Sequence, residues 1–110
     1  MGYIVVAPEI EVAPGTMKSF VVGNNRKILV ANHEGRFYAM DSKCTHAGGD
    51  LSQGKLDGTV VTCPRHGSRF DVTTGACLSG PRIGFLKLKT KDEPSYPVKV
   101  EDGIIMVSFI

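Results

Sequence analysis

The sequence predicts an all-β domain of antiparallel strands. Short runs of β-branched and aromatic residues alternate with turns containing Gly, Asn and Asp, and no stretch repeats its apolar residues at helical spacing over a useful length. The chain also closes on a hairpin signal, Asp102-Gly103 between two strand-like runs. Taken in order, the first runs are Met17 to Val22, Arg26 to Asn32 and Arg36 to Asp41, parted by Gly23-Asn24-Asn25 and by His33-Glu34-Gly35, so they read as a meander. After residue 41 a loop rich in Gly and small polar residues follows, then a strand at Thr59 to Thr62 and a second loop. A short piece, Arg69 to Val72, leads to a turn at Thr73-Thr74-Gly75, and Ser79-Gly80-Pro81 marks a third loop before a strand at Phe85 to Lys89. In the final hairpin Val98 and Val100 alternate with Lys99 and Glu101, and Ile104 to Phe109 returns as a more apolar strand. The expected organisation is one domain over 1–110, with a β scaffold from 1–41 and 87–110 and an inserted part over 42–86.

Composition excludes several classes. At 110 residues the chain suits one domain with a modest core. Thirteen basic against eleven acidic side chains leave a formal charge of +2, which gives no support to nucleic-acid binding. The apolar stretch Tyr3 to Ala7 is too short for the core of a secretion signal, and no stretch is long enough to span a membrane. A cytoplasmic protein is the expectation. Three cysteines are too few for a disulfide framework, and Cys77 reads as an inert packed thiol.

The chemistry sits in two short signatures, Cys44-Thr45-His46 and Cys63-Pro64-Arg65-His66, with sixteen residues between them. Each loop offers one thiolate and one imidazole, so the pair can give one iron two cysteines and another two histidines. Two cysteines and two histidines also suit tetrahedral zinc, although zinc fingers usually pair like with like around a helix. The remaining reading is two buried cysteines and two unrelated surface histidines.

The residues CTHAGG and CPRHGSRFDVTTG, followed by Ser79-Gly80-Pro81, resemble the two ligand loops and the proline loop of Rieske iron-sulfur proteins. The resemblance implies a small fold of stacked antiparallel sheets with an inserted cluster-binding part over 42–86. It implies one 2Fe-2S cluster, with Cys44 and Cys63 on the inner iron and His46 and His66 on the outer iron, at the tip. Gly48 and Gly67 are the expected points of close backbone approach, Pro81 belongs to the proline loop, and Ser68 matches a serine that donates a hydrogen bond to cluster sulfur. Phe70 stands where respiratory members of the family have a tyrosine, and Gly49 and Arg65 stand where they have two further, disulfide-bonded cysteines.

Two ferric ions, two sulfides and two thiolates sum to zero charge with neutral imidazoles, so an added electron is easier to accept than in a four-thiolate centre. Rieske centres accordingly span roughly −150 to +300 mV against about −400 mV for plant-type ferredoxins. Fewer hydrogen-bond donors place this chain below the respiratory type, lifted by Ser68. Reduction favours proton uptake at His46 or His66, so the potential is expected to fall with pH in the alkaline range.

The chain thus resembles the soluble Rieske-type ferredoxins that carry electrons from a flavin-dependent ferredoxin reductase to the terminal Rieske oxygenase of an aromatic-ring dioxygenase system. A carrier, not an enzyme, is expected, because only His33 remains as a histidine outside the quartet, one short of a mononuclear-iron triad. Within 42–86, Lys43, Lys55, Arg65, Arg69 and Arg82 face Asp50, Asp57 and Asp71, so this segment holds an excess of +2. Arg65, Lys43 and Arg69 are therefore the candidate docking residues. A Rieske subunit fixed in a larger oxidoreductase, such as a nitrite reductase, and a zinc-stabilised binding module without redox role are the alternatives.

Overall fold

The run Ile28-Leu29-Val30-Ala31 is apolar at four consecutive positions, and all four residues are fully buried. A strand turns successive side chains to opposite faces, so such a run needs a partner layer on both sides. The fold supplies them. In a computed structural model of the chain, residues 2–23, 25–44, 49–65, 67–79, 82–83, 86–87 and 92–109 are described, 82–83 and 86–87 by backbone alone. The strands are β1 (Tyr3–Pro8), β2 (Met17–Val22), β3 (Arg26–His33), β4 (Arg36–Asp41), β5 (Lys55–Asp57), β6 (Val60–Thr62) and β7 (Arg69–Asp71). They continue with β8 (Cys77–Ser79), β9 (Arg82–Ile83), β10 (Leu86–Lys87), β11 (Ser95–Tyr96), β12 (Val98–Glu101) and β13 (Ile104–Ser108). The paired strands run antiparallel in sheets ordered β1-β13-β12, β11-β4-β3-β2, β5-β6-β7-β8 and β9-β10.

The sheet containing β3 is the middle layer. Ile28 and Val30 pack with Ile105 and Val107 of β13 and with Ala39, while Leu29 and Ala31 pack with Val61, Phe70, Leu51 and the two cysteines Cys44 and Cys63. One strand therefore joins the scaffold core to the core beneath the candidate site. The turns follow local chemistry. Glu34 and Gly35 between β3 and β4, and Asp102 and Gly103 between β12 and β13, have positive φ, as a two-residue hairpin turn requires. Asn32 pins the first of these, donating from Nδ2 to the carbonyl of Val12 at 2.8 Å and accepting from the Gly35 N–H at 2.8 Å.

The expected meander and final hairpin are present, but several strands were not foreseen. Tyr3–Pro8 pairs with β13 rather than forming a mere apolar lead, with a bulge between Val5 and Ala7 that breaks its alternation. Lys55–Asp57 and Cys77–Ser79 are three-residue strands completing the sheet around β6 and β7, so Ser79 belongs to a strand and not to the third loop. β11 exists through its pairing with Met40 and Ala39 of β4. Of the strand expected at Phe85 to Lys89, residues 86 and 87 are described, as β10 paired with β9; the rest lies outside the described residues. His33 ends β3 at a partly buried position, with Nε2 3.8 Å from Glu34 Oε2.

Candidate metal centre

Both cysteines lie just past a strand end, where the chain leaves the ladder. Cys44 follows β4 by three residues and Cys63 directly follows β6; both are almost fully buried in the core formed with Phe70, Val61 and Leu51. The two loops are closed in the same way. The N–H of Cys44 donates to the carbonyl of Gly49 at 2.7 Å, and the N–H of Cys63 donates to the carbonyl of Ser68, also at 2.7 Å, each five residues on. In the second loop Gly67, at φ 78°, adds a bond from its N–H to the carbonyl of Cys63 at 3.2 Å. Any other residue there would be strained in the left-handed region.

The first loop is fastened at its base by Asp50. Its Oδ1 accepts from Ser42 Oγ at 2.6 Å and from the Ser52 N–H and Oγ at 2.9 and 2.6 Å, while Oδ2 accepts from Lys27 Nζ at 2.5 Å. Partial burial opposes ionisation of Asp50, but the bonds from Lys27, Ser42 and Ser52 outweigh it and hold the carboxyl well below the usual carboxylate range. An isolated antiparallel β-bridge of the backbone between Lys43 and Asp50, and a bond from the Leu51 N–H to the Ser42 carbonyl at 2.7 Å, complete the base.

The loops meet at Gly49. A Cβ there would stand 3.4 Å from Cys63 Sγ and 3.0 Å from Arg65 Cγ. Ser68 is buried, and its Oγ has no hydrogen-bond partner among the described residues. A buried hydroxyl without an acceptor costs free energy, so an acceptor absent from the chain itself is the simplest account. Two buried thiols on apposed loops, with an orphaned hydroxyl in the same turn, fit a sulfide-containing cluster: thiolate donors and a hydrogen-bond donor for sulfur. His46, His66, Gly48 and Pro81 lie outside the described residues. Lys43, Arg65 and Arg69 are exposed and have no ion-pair partner among the described residues.

The family model of the Rieske [2Fe-2S] domain matches residues 2–90. The chain belongs to this family. Its cofactor is a Rieske-type 2Fe-2S cluster. The Rieske chain is 40% identical over 84 residues to the ferredoxin component of the naphthalene 1,2-dioxygenase/salicylate 5-hydroxylase systems of Ralstonia sp, covering 76% of this chain and 74% of the relative. It is 36% identical over 100 residues to the biphenyl dioxygenase ferredoxin subunit of Pseudomonas sp. strain KKS102, covering 90% and 84%. Among solved structures, the ferredoxin of carbazole 1,9a-dioxygenase from Nocardioides aromaticivorans IC177 superimposes with a TM-score of 0.82 at 26% identity, covering 98% of each chain. A further match, at TM-score 0.77 and 29% identity over 96% of this chain and 92% of the other, comes from a complex of reduced oxygenase and oxidised ferredoxin in carbazole 1,9a-dioxygenase.

Two residues of the Rieske site escaped the sequence reading, as did one packing contact outside it. Asp50 was counted there only as a negative charge, yet it ties the first loop to Lys27 of β3. Its signal was the Asp-x-Ser spacing of a local cap, Asp50-Leu51-Ser52 before the 3-10 turn Leu51–Gln53. Gly54 is the second: a Cβ would lie 1.8 Å from the carbonyl oxygen of Thr62, the residue before Cys63. Away from the site, Gly75 ends the expected turn at φ 82°, and the Glu93 carbonyl oxygen lies 2.1 Å from where its Cβ would be. No local pattern marks either contact. Cys77 is partly buried and donates its N–H to Asp92 Oδ1 at 2.7 Å; burial, then Asp92 and Glu93, push its thiol up against an opposing bond from Ser79, so it is a poor nucleophile.

Proposed function

We propose that this chain is a one-electron carrier, the ferredoxin of an aromatic-ring dioxygenase system, passing electrons from a flavin-dependent ferredoxin reductase to a terminal Rieske oxygenase. The observation that carries the reading is the near end-to-end correspondence with ferredoxin components, 98% of both chains for the Nocardioides ferredoxin. By contrast, the similarity to an oxygenase chain such as that of Novosphingobium sp. KA1 spans 29% of that chain at 22% identity, which is likeness of fold alone. The partner classes follow from what these relatives serve: one of the matched ferredoxins is held in a complex with its oxygenase. The protein is a carrier and not an enzyme. Family membership sets the zinc-stabilised module aside, and no observation favours a subunit fixed in a larger oxidoreductase.

In this reading Cys44, His46, Cys63 and His66 hold the cluster, residues 42–86 form the cluster-binding part, and 1–41 with 87–110 form the scaffold. The bound cluster supplies a store for one electron. The buried hydroxyl of Ser68 donates a hydrogen bond to sulfur and so stabilises the reduced charge. Core packing of Cys44 and Cys63 keeps water from the thiolate side, leaving His46 and His66 as the exit for the electron. Lys43, Arg65 and Arg69 offer a basic rim to acidic groups of a partner, suited to a small and quickly released contact. Among the described residues no helix is long and apolar enough to cross a membrane; from its likeness to the ferredoxin components of dioxygenase systems we infer a cytoplasmic carrier.

Stopped-flow mixing with a flavin-dependent ferredoxin reductase and a terminal dioxygenase tests the function. The expected result is reduction by the reductase, reoxidation by the oxygenase, and rates that fall as salt rises. Reduction without any transfer to an oxygenase, together with a stable large subunit recovered on native purification, would overturn it.

A further inference from the structure

Gly49 is a glycine for reasons of space. Its φ lies outside the left-handed region, so backbone freedom does not call for it. What calls for it is approach: a Cβ would sit 3.0 Å from Arg65 Cγ, 3.4 Å from Arg65 Cδ and 3.4 Å from Cys63 Sγ. The methylene stem of Arg65 therefore lies across the first loop at the point where that loop passes the sulfur. Arg65 as a whole is exposed, whereas Cys63 is 3% exposed. The arginine thus keeps its charged head in water and lays its apolar stem along the seam.

We propose that Arg65 is a positioning residue, whose stem on the bare backbone of Gly49 latches the second ligand loop to the first and shields the Cys63 sulfur from water. The guanidinium adds positive charge beside the cluster, but the latch is the stem. Each loop already closes on itself through the Cys44–Gly49 and Cys63–Ser68 bonds; the Gly49 contact brings the two closed loops together. The apolar shell of a metal site governs solvent access and so the lifetime of the site. This inference rests on Cys63 being a cluster ligand.

Stem and charge are separable by substitution. Arg65→Ala removes both, whereas Arg65→Met keeps a stem of similar length without charge. The assay is the rate at which the visible absorption of the purified holoprotein bleaches in excess chelator, with the midpoint potential and the EPR spectrum of the reduced form measured on the same samples.

Arg65→Ala should bleach about fourfold faster, the equivalent of about one methylene lost from an apolar contact. Arg65→Met should bleach at the unmodified rate while its midpoint falls as far as that of Arg65→Ala. An unchanged rate in Arg65→Ala, or equally fast bleaching of Arg65→Met, would overturn the latch. The ligand set fails on a different result, a Cys63→Ser protein that keeps the unmodified spectrum.

Discussion

Asp50 is the residue whose removal says most about how the fold holds the first ligand loop. In Asp50→Ala the buried hydroxyl of Ser42 loses its acceptor, the Ser52 N–H and hydroxyl lose theirs, and Lys27 loses its ion pair. An unsatisfied buried hydroxyl costs about 1–3 kcal/mol and the cap about 1 kcal/mol, whereas the half-exposed Lys27 pair adds little. The total is about 3 kcal/mol. With a urea slope of about 2 kcal/mol/M this moves the unfolding midpoint down by about 1.5 M. The pH dependence has a definite sign. The folded-state pKa of Asp50 is depressed below its ordinary 3.8, so its stabilisation is fully present above that value and drains away as pH falls toward the folded value. Urea unfolding of the unmodified and variant holoproteins, followed by circular dichroism, should therefore show a constant gap from pH 7 to about pH 5 that narrows below about pH 4. A gap under about 1 kcal/mol at neutral pH, or one that keeps its full size at pH 3, would refute this account of the loop.

Other substitutions separate electronic from structural roles. Ser68→Ala should lower the midpoint potential by about 50 mV, the equivalent of one hydrogen bond to the reduced form; an unchanged midpoint means the hydroxyl does not reach cluster sulfur. Gly54→Ala should destabilise by about 3 kcal/mol, because its Cβ would meet a backbone oxygen 1.8 Å away on the strand that delivers Cys63; urea unfolding measures it, and a near-neutral effect would contradict the packing. Tyr96→Phe should leave the midpoint untouched yet change alkaline stability. Burial and the 2.5 Å bond to Asp41 push the Tyr96 phenol from 10.0 up to about 12, against the opposing bond from Arg26. The unmodified protein therefore loses that contribution as pH rises above about 10, and the phenylalanine variant has none to lose.

What could be read from the sequence was what is encoded locally. The strands Met17–Val22, Arg26–His33, Arg36–Asp41 and the hairpin Val98–Ser108 are runs rich in apolar, β-branched and aromatic residues bounded by their own turn residues, Glu34-Gly35 and Asp102-Gly103 among them. Lys55–Asp57, Cys77–Ser79 and Ser95–Tyr96 are too short to show any period; they are strands because a neighbour offers an open edge. Tyr3–Pro8 was obscured by a bulge that interrupts its alternation. At the site, the proposed ligand residues are legible because their spacing is itself the motif. The fit of Gly54 against Thr62, of Gly49 against Arg65, and of Asp50 onto Lys27 depends on residues brought together only by folding.

The central claim is that Cys44, His46, Cys63 and His66 hold a 2Fe-2S cluster that takes up one electron. EPR of the reduced protein, with iron and sulfide analysis of the same sample, tests it most directly. One spin per two irons, with a mean g value below that of an all-thiolate 2Fe-2S centre, is the predicted result. A spectrum with the all-thiolate mean g value, or a colourless protein holding zinc without iron or sulfide, would contradict it.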